Sequence, residues 1–216
     1  VTRLPEAVDL RAKCPPVYDQ GKLGSCTANA IGAAHQFEQI RQAKSRGSFQ
    51  PSRLFIYFDE REIEGTINED SGAMIRDGMK TVVKRGVPPE TEWPYNIAKF
   101  TVRPPKVCYT HALKHQVLAY RRVDQILSQI KACLASGHPV VFGFTVYESF
   151  ETKQVAKTGI VPMPNGREQV LGGHAVLAVG YVDRTCRFIV RNSWGEKWGD
   201  KGYCHIPYAY LSDGDL

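Results

Sequence analysis

The stretch "YDQGKLGSCTANAIGAAHQFEQI", residues 18–40, runs from a glycine-bearing turn straight into a helical pattern, with a lone cysteine, Cys26, at the junction. From Cys26 to Lys44 the apolar residues Ala30, Ile31, Ala34, Phe37 and Ile40 recur every three or four positions, as one buried helix face requires. Outward from there, "PSRLFIYFDEREI" (Pro51 to Ile63) predicts a second helix with proline near its start. "SGAMIRDGMKTVVKRG" (Ser71 to Gly86) predicts a third, closed by glycine after two basic residues. Proline-rich ground follows, "GVPPETEWPY" and then "VRPPKVCY", and reads as loop. Beyond it only "QILSQIKACLASG" (Gln125 to Gly137) is helical. "PVVFGFTVY", "GHAVLAVGYV", "RFIVRNSWG" and "GYCHIPY" are short runs rich in Val, Ile, Phe and Tyr, and read as neighbouring strands of an antiparallel sheet or barrel. The expected class is α+β, with a mainly helical lobe over 1–112 and a mainly β lobe over 113–216 forming one integrated domain.

The totals narrow the field. A chain of 216 residues, 43% hydrophobic and 23% charged, has the composition of a soluble globular protein that can bury a core. No stretch approaches the roughly 18 apolar residues needed to span a bilayer. Val1 is not a start methionine and no charged-then-apolar leader follows, which implies removal of a leader or pro-segment, or a trimmed chain. The net charge is +6, yet the densest basic groups are pairs such as Lys84-Arg85 and Arg121-Arg122. That pattern is a mildly basic surface, with neither a nucleic-acid nor a membrane partner. The six cysteines are Cys14, Cys26, Cys108, Cys133, Cys186 and Cys204, none in a C-x-x-C pair. If one is a working thiol, at most two disulfides can form among the rest. The compartment stays open, leaning towards secreted or periplasmic.

Cys26 heads the first helix, where unsatisfied N–H groups and the macrodipole favour a thiolate. Gly21 and Gly24 permit a tight turn before it. The segment alone fits a small buried hydrophobe as well. Four histidines, His35, His111, His115 and His138, carry no evident chemistry, and His205 has no assigned role. His111 and His115 lie four apart near Cys108, but no metal-ligand motif accompanies them, and neither metal nor cofactor is expected. His174 differs: Gly172 and Gly173 clear space before it, and an apolar run follows. In the next segment, "RNSWGEKWG", Asn192 can accept the second imidazole N–H and Trp194 can lie over that bond.

Gln20, "GSC" ending at Cys26, "GGHAV" around His174 and "NSWGEKWGDKGY" from Asn192 resemble the papain-like cysteine peptidases, with bacterial members closest. The resemblance runs from "LPEAVDLR" to "GYCHIPY". His174 follows Cys26 by 148 residues, within the family range, and Asn192 by 166, somewhat beyond it. The resemblance implies a papain-like two-lobe fold with the active-site cleft between the helical and the barrel-like lobe. It further implies Cys26 as nucleophile, His174 as general acid/base, Asn192 as its orienter under Trp194, and Gln20 with the Cys26 N–H as oxyanion hole. Within "DSGAM", Ser71 and Gly72 would meet the substrate backbone. Ala73, Met74, Gly143 and Gly172 would line a roomy specificity pocket, with Gly173 and Trp194 alongside. The implied activity is endopeptidase on peptide or protein substrates, as a monomer, with a pro-segment or protein inhibitor held in the cleft.

Departures from the pattern are informative. Leu23 stands where relatives carry a disulfide-forming cysteine, and Thr27 stands where they carry an aromatic. Gly173 offers no side chain to influence the pair. Cys186 and Cys204 fall on adjacent strands, either as a cross-strand disulfide or as two free thiols. Two other uses of the site are an acyl transfer resolved by an amine (transpeptidase or ligase) and an inactive peptide-binding scaffold. The scaffold would need none of Gln20, Cys26, His174 and Asn192 together.

Overall fold

The computed structural model describes residues 3–42 and 47–214. Contacts divide the chain into Gln20–Arg121 and a second unit made of Val1–Asp19 with Arg122–Leu216. The sequence places the boundary between residues 112 and 113. Residues beyond it stay with the helices because Val117 N–H donates to Val82 O and the Gln116 amide to Val83 O and Lys84 O.

The Gln20–Arg121 unit holds α1 (Cys26–Gln42), α2 (Arg53–Glu64), α3 (Ile75–Lys84) and α4 (Lys106–Ala112). The expected extension of α1 to Ala43 and Lys44 lies outside the described residues. Ser52 caps α2, its hydroxyl oxygen accepting Phe55 N–H, and Gly65 closes it at φ 76°. Every residue from Arg53 to Arg61 is buried, so α2 is the spine of this unit. Its core side chains are Leu54, Phe55, Ile56, Tyr57 and Phe58, joined by Ile31 and Phe37 of α1 and Val82 of α3. Arg61 is fully buried, and four carbonyls (Tyr57, Ile67, Glu69 and Phe100) satisfy its guanidinium. Helix α4 lies in ground expected to be loop, and it starts directly after Pro105. Proline suits the edge of a helix, because the N–H it lacks would be unpaired there anyway.

The second unit is a five-stranded antiparallel sheet of β1 (Ala7–Asp9), β2 (Val140–Tyr147), β3 (Val170–Val182), β4 (Arg187–Arg191) and β5 (Tyr203–Pro207). Helices α5 (Leu127–Ala135), α6 (Lys153–Thr158) and α7 (Tyr208–Ser212) accompany it. Strand β3 is the organiser. One edge pairs with β2 along Val170–Ala178 and with β1 along Gly180–Val182, and the other edge pairs with β4. The sheet buries Val176, Ala178, Phe188, Val190 and Ile206 with Leu134, Phe144 and Phe150.

None of the six cysteines, each among the described residues, is in a disulfide. The open choice between Cys186 and Cys204 therefore resolves to two free thiols. Cys204 lies opposite Val190 in the buried register, whereas Cys186 is an exposed residue at φ 52° preceding β4. No helix among the described residues is long and apolar enough to cross a membrane.

Candidate active site

Cys26 and Gln20 belong to the Gln20–Arg121 unit. Cys26 is the first residue of α1, and Ser25 O receives Asn29 N–H as the first helical bond. The turn before it is fixed from below. Tyr95 O–H donates to Gln20 O at 2.9 Å, so the 2.5 Å contact with Ser25 must be Ser25 Oγ–H donating to Tyr95 Oη. Asn29 Nδ2 donates to Ser25 Oγ, and Arg53 donates to Asn29 Oδ1 while lying 4.0 Å over the Tyr95 ring. Glu90 neutralises Arg53 at 2.8 Å. Gln20 is buried, and its amide nitrogen donates one N–H to Leu23 O at 3.0 Å. Behind Cys26, Thr27 Oγ1 donates to Glu60 Oε2 at 2.8 Å. Glu60 is fully buried, Oε1 has no hydrogen-bond partner among the described residues, and burial pushes its carboxyl well above the ordinary range.

Ser71, Gly72, Ala73 and Met74 form the loop entering α3. Gly72 sits at φ 72° with its N–H donating to Tyr57 Oη at 3.2 Å, and Ser71 Oγ donates to Gly72 O. Met74 is 64% exposed, with its backbone N–H held by Glu64 Oε1.

His174, Asn192 and Trp194 belong to the other unit. His174 lies on β3 opposite Phe144 of β2 and is buried. Its Nε2 lies 2.8 Å from Asn192 Oδ1. The same oxygen accepts Ser193 N–H at 2.8 Å, which identifies it as the amide oxygen. His174 Nε2 therefore carries the proton, which makes Nδ1 the acceptor nitrogen of the neutral ring. Trp194 stacks on the imidazole with centroids 5.0 Å apart and planes at 29°. Phe150 and Trp198 close around Trp194 at 5.5 and 5.2 Å. Burial lowers the His174 pKa, and the bond to Asn192 opposes that shift. Gly143 is exposed opposite Ala175, while Gly172 and Gly173 face Val146 and Thr145, and a Cβ on either would meet open space among the described residues.

The structure thus brings together His174, Asn192 and Trp194 in one unit. It brings together Gln20, Cys26 and the Ser71–Met74 loop in the other. Tyr95, Phe150 and Asp70 were not singled out by the sequence. For Asp70 a signal was present, an acidic residue opening the Ser-Gly turn. Elsewhere His111 pairs with Glu92 at 2.8 Å and His115 packs on Phe49. No group of three metal-ligating side chains occurs among the described residues.

The profile of the papain family cysteine proteases matches residues 4–211. The chain belongs to the papain family. Xylellain, a cysteine protease from Xylella fastidiosa, shares 47% identity with a TM-score of 0.93, covering 99% of this chain and 84% of that one. An uncharacterized peptidase C1-like protein of Acanthamoeba polyphaga mimivirus is 50% identical over 92% of this chain and 66% of its own length. The ragweed pollen cysteine protease Amb a 11, in its proform, is 27% identical with a TM-score of 0.73, covering 99% and 62%. The chain spans about two thirds of the length of the curated relatives it matches. The α+β architecture is the papain-like fold, and a bacterial member of the family stands among its near neighbours.

Proposed function

We propose that this papain-family chain is a cysteine endopeptidase working through a Cys26–His174 thiolate–imidazolium pair. The observation that carries the reading is the buried His174–Asn192 bond under Trp194, which fixes one imidazole nitrogen and leaves the other for chemistry. The thiolate attacks a peptide carbonyl carbon, and the carbonyl π pair moves to oxygen. The Gln20 amide and the Cys26 backbone N–H stabilise that oxyanion, a contribution of ~3–4 kcal/mol when such donors are well placed. Collapse breaks the C–N bond as His174 Nδ1–H protonates the leaving amine, giving a thioester on Cys26. His174, now neutral, takes a proton from water, whose oxygen attacks the thioester; the acid leaves and the ion pair re-forms.

Ser71 and Gly72 are assigned to the substrate backbone. Ala73, Met74, Gly143 and Gly172 are assigned to a pocket for a large apolar side chain, with Gly173 and Trp194 as further substrate contacts. Equal cleavage of bulky and small residues at that subsite would remove this assignment. A pro-segment is proposed to occupy the substrate-binding face before activation, supported by a relative solved in its proform.

The test is hydrolysis of an unfolded protein substrate by the chain and by Cys26→Ala. Cleavage that is lost in the variant and yields free carboxylates supports the reading. Amide products dominating when a simple amine is added would replace it with acyl transfer. Peptide binding without turnover would replace it with a scaffold.

A further inference from the structure

Asp70 joins two backbone segments that are distant in sequence. Its two carboxylate oxygens accept Gly24 N–H at 3.0 and 3.1 Å. One of them also accepts Tyr57 O–H at 2.5 Å, and Tyr57 Oη in turn accepts Gly72 N–H. A single side chain thus ties the backbone two residues before Cys26 to the backbone of the loop carrying Ser71 and Gly72. The rest of that loop hangs on α2. Arg61 donates to Ile67 O and Glu69 O, Thr66 N–H donates to Arg61 O, and Glu64 accepts Met74 N–H.

Position 24 is shaped for this contact, since a Cβ there would lie 2.9 Å from Asp70 Oδ1. Leu23 is buried beside it and excludes a disulfide at that place. Hydrogen bonds to an ionised acceptor are about twice as strong as neutral ones, which suits a carboxylate to this task. Burial and the bond to Asp70 raise the Tyr57 pKa, so the phenol stays a donor across the working range.

We propose that Asp70 is a positioning residue that latches the turn carrying Gly24 to the Ser71–Gly72 loop through its carboxylate. The proposal rests on the peptidase reading for its effect on catalysis, but the latch itself has an independent readout.

The experiment compares wild type, Asp70→Ala and Asp70→Asn by peptide kinetics, iodoacetamide alkylation of Cys26 and amide hydrogen exchange. Losing a hydrogen bond to a charged group predicts a KM about tenfold higher in Asp70→Ala, with kcat and alkylation within about twofold of wild type. Exchange at Gly24 and Gly72 should accelerate. Asp70→Asn, which keeps one neutral oxygen acceptor, should reverse part of both changes. Unchanged KM with unchanged Gly24 exchange would overturn the proposal. So would a parallel fall of kcat, alkylation rate and melting temperature, which marks a merely structural role. If wild type cleaves no peptide, the peptidase reading fails, while exchange at Gly24 still decides the latch: no acceleration in Asp70→Ala refutes it.

Discussion

At His174 two demands pull the imidazole in opposite directions. Burial under Trp194 disfavours the charged ring, while the bond to Asn192 favours it. On our reading the Cys26 thiolate supplies the missing stabilisation. Asn192→Ala removes the acceptor that fixes the tautomer, and kcat should fall about 10²-fold with KM little changed. Steady-state kinetics on a single peptide checks this. The four residues proposed for chemistry stand out in the sequence because each sits in a motif whose residue types the proposed reaction would need. The partners beneath them do not. Tyr95 and Asn29 act through hydrogen bonds that depend on chain segments brought together only by folding.

At the scale of elements, α2 was legible as a helix, but its burial was not. Arg53, Asp59, Glu60 and Arg61 are all buried, and no periodicity announces that a charged residue will find partners inside. Glu60 has a consequence for pH. Its folded-state carboxyl holds a proton that the unfolded chain releases near its ordinary value, so its contribution to stability is full below that value. That contribution is lost as pH rises from about 4.5 towards the raised folded value. Urea denaturation from pH 4.5 to 8 should therefore show Glu60→Gln gaining stability relative to wild type as pH rises. A constant difference would show that Glu60 does not titrate there.

Strand β1 was missed for a different reason. Three residues are too few for an alternating pattern, and their place is set by Gly180 of β3. A Cβ at Gly180 would lie 2.2 Å from Val8 O, so Gly180→Ala should cost about 2 kcal/mol by overpacking. A melting temperature equal to wild type would contradict the close approach.

Across the whole molecule, α+β class and family follow from a few motifs spread from Gln20 to Tyr203, but the division of the chain does not. The first 19 residues belong with the strands through the β1–β3 pairing, a long-range contact that no local pattern encodes. No disulfide links any of the six cysteines, so covalent cross-links are unnecessary to this fold. The melting temperature should therefore be the same with and without dithiothreitol, and a drop under reduction would reveal a disulfide.

In the proposed mechanism His174 holds Cys26 as a thiolate. Its most direct test is the rate of iodoacetamide alkylation at Cys26 at pH 5 and pH 8, located by mass spectrometry, in wild type and His174→Ala. Rapid, selective alkylation of Cys26 at pH 5, falling to the rate of an ordinary thiol in the variant, is the expected result. Equal rates at pH 5 in the two proteins would contradict it.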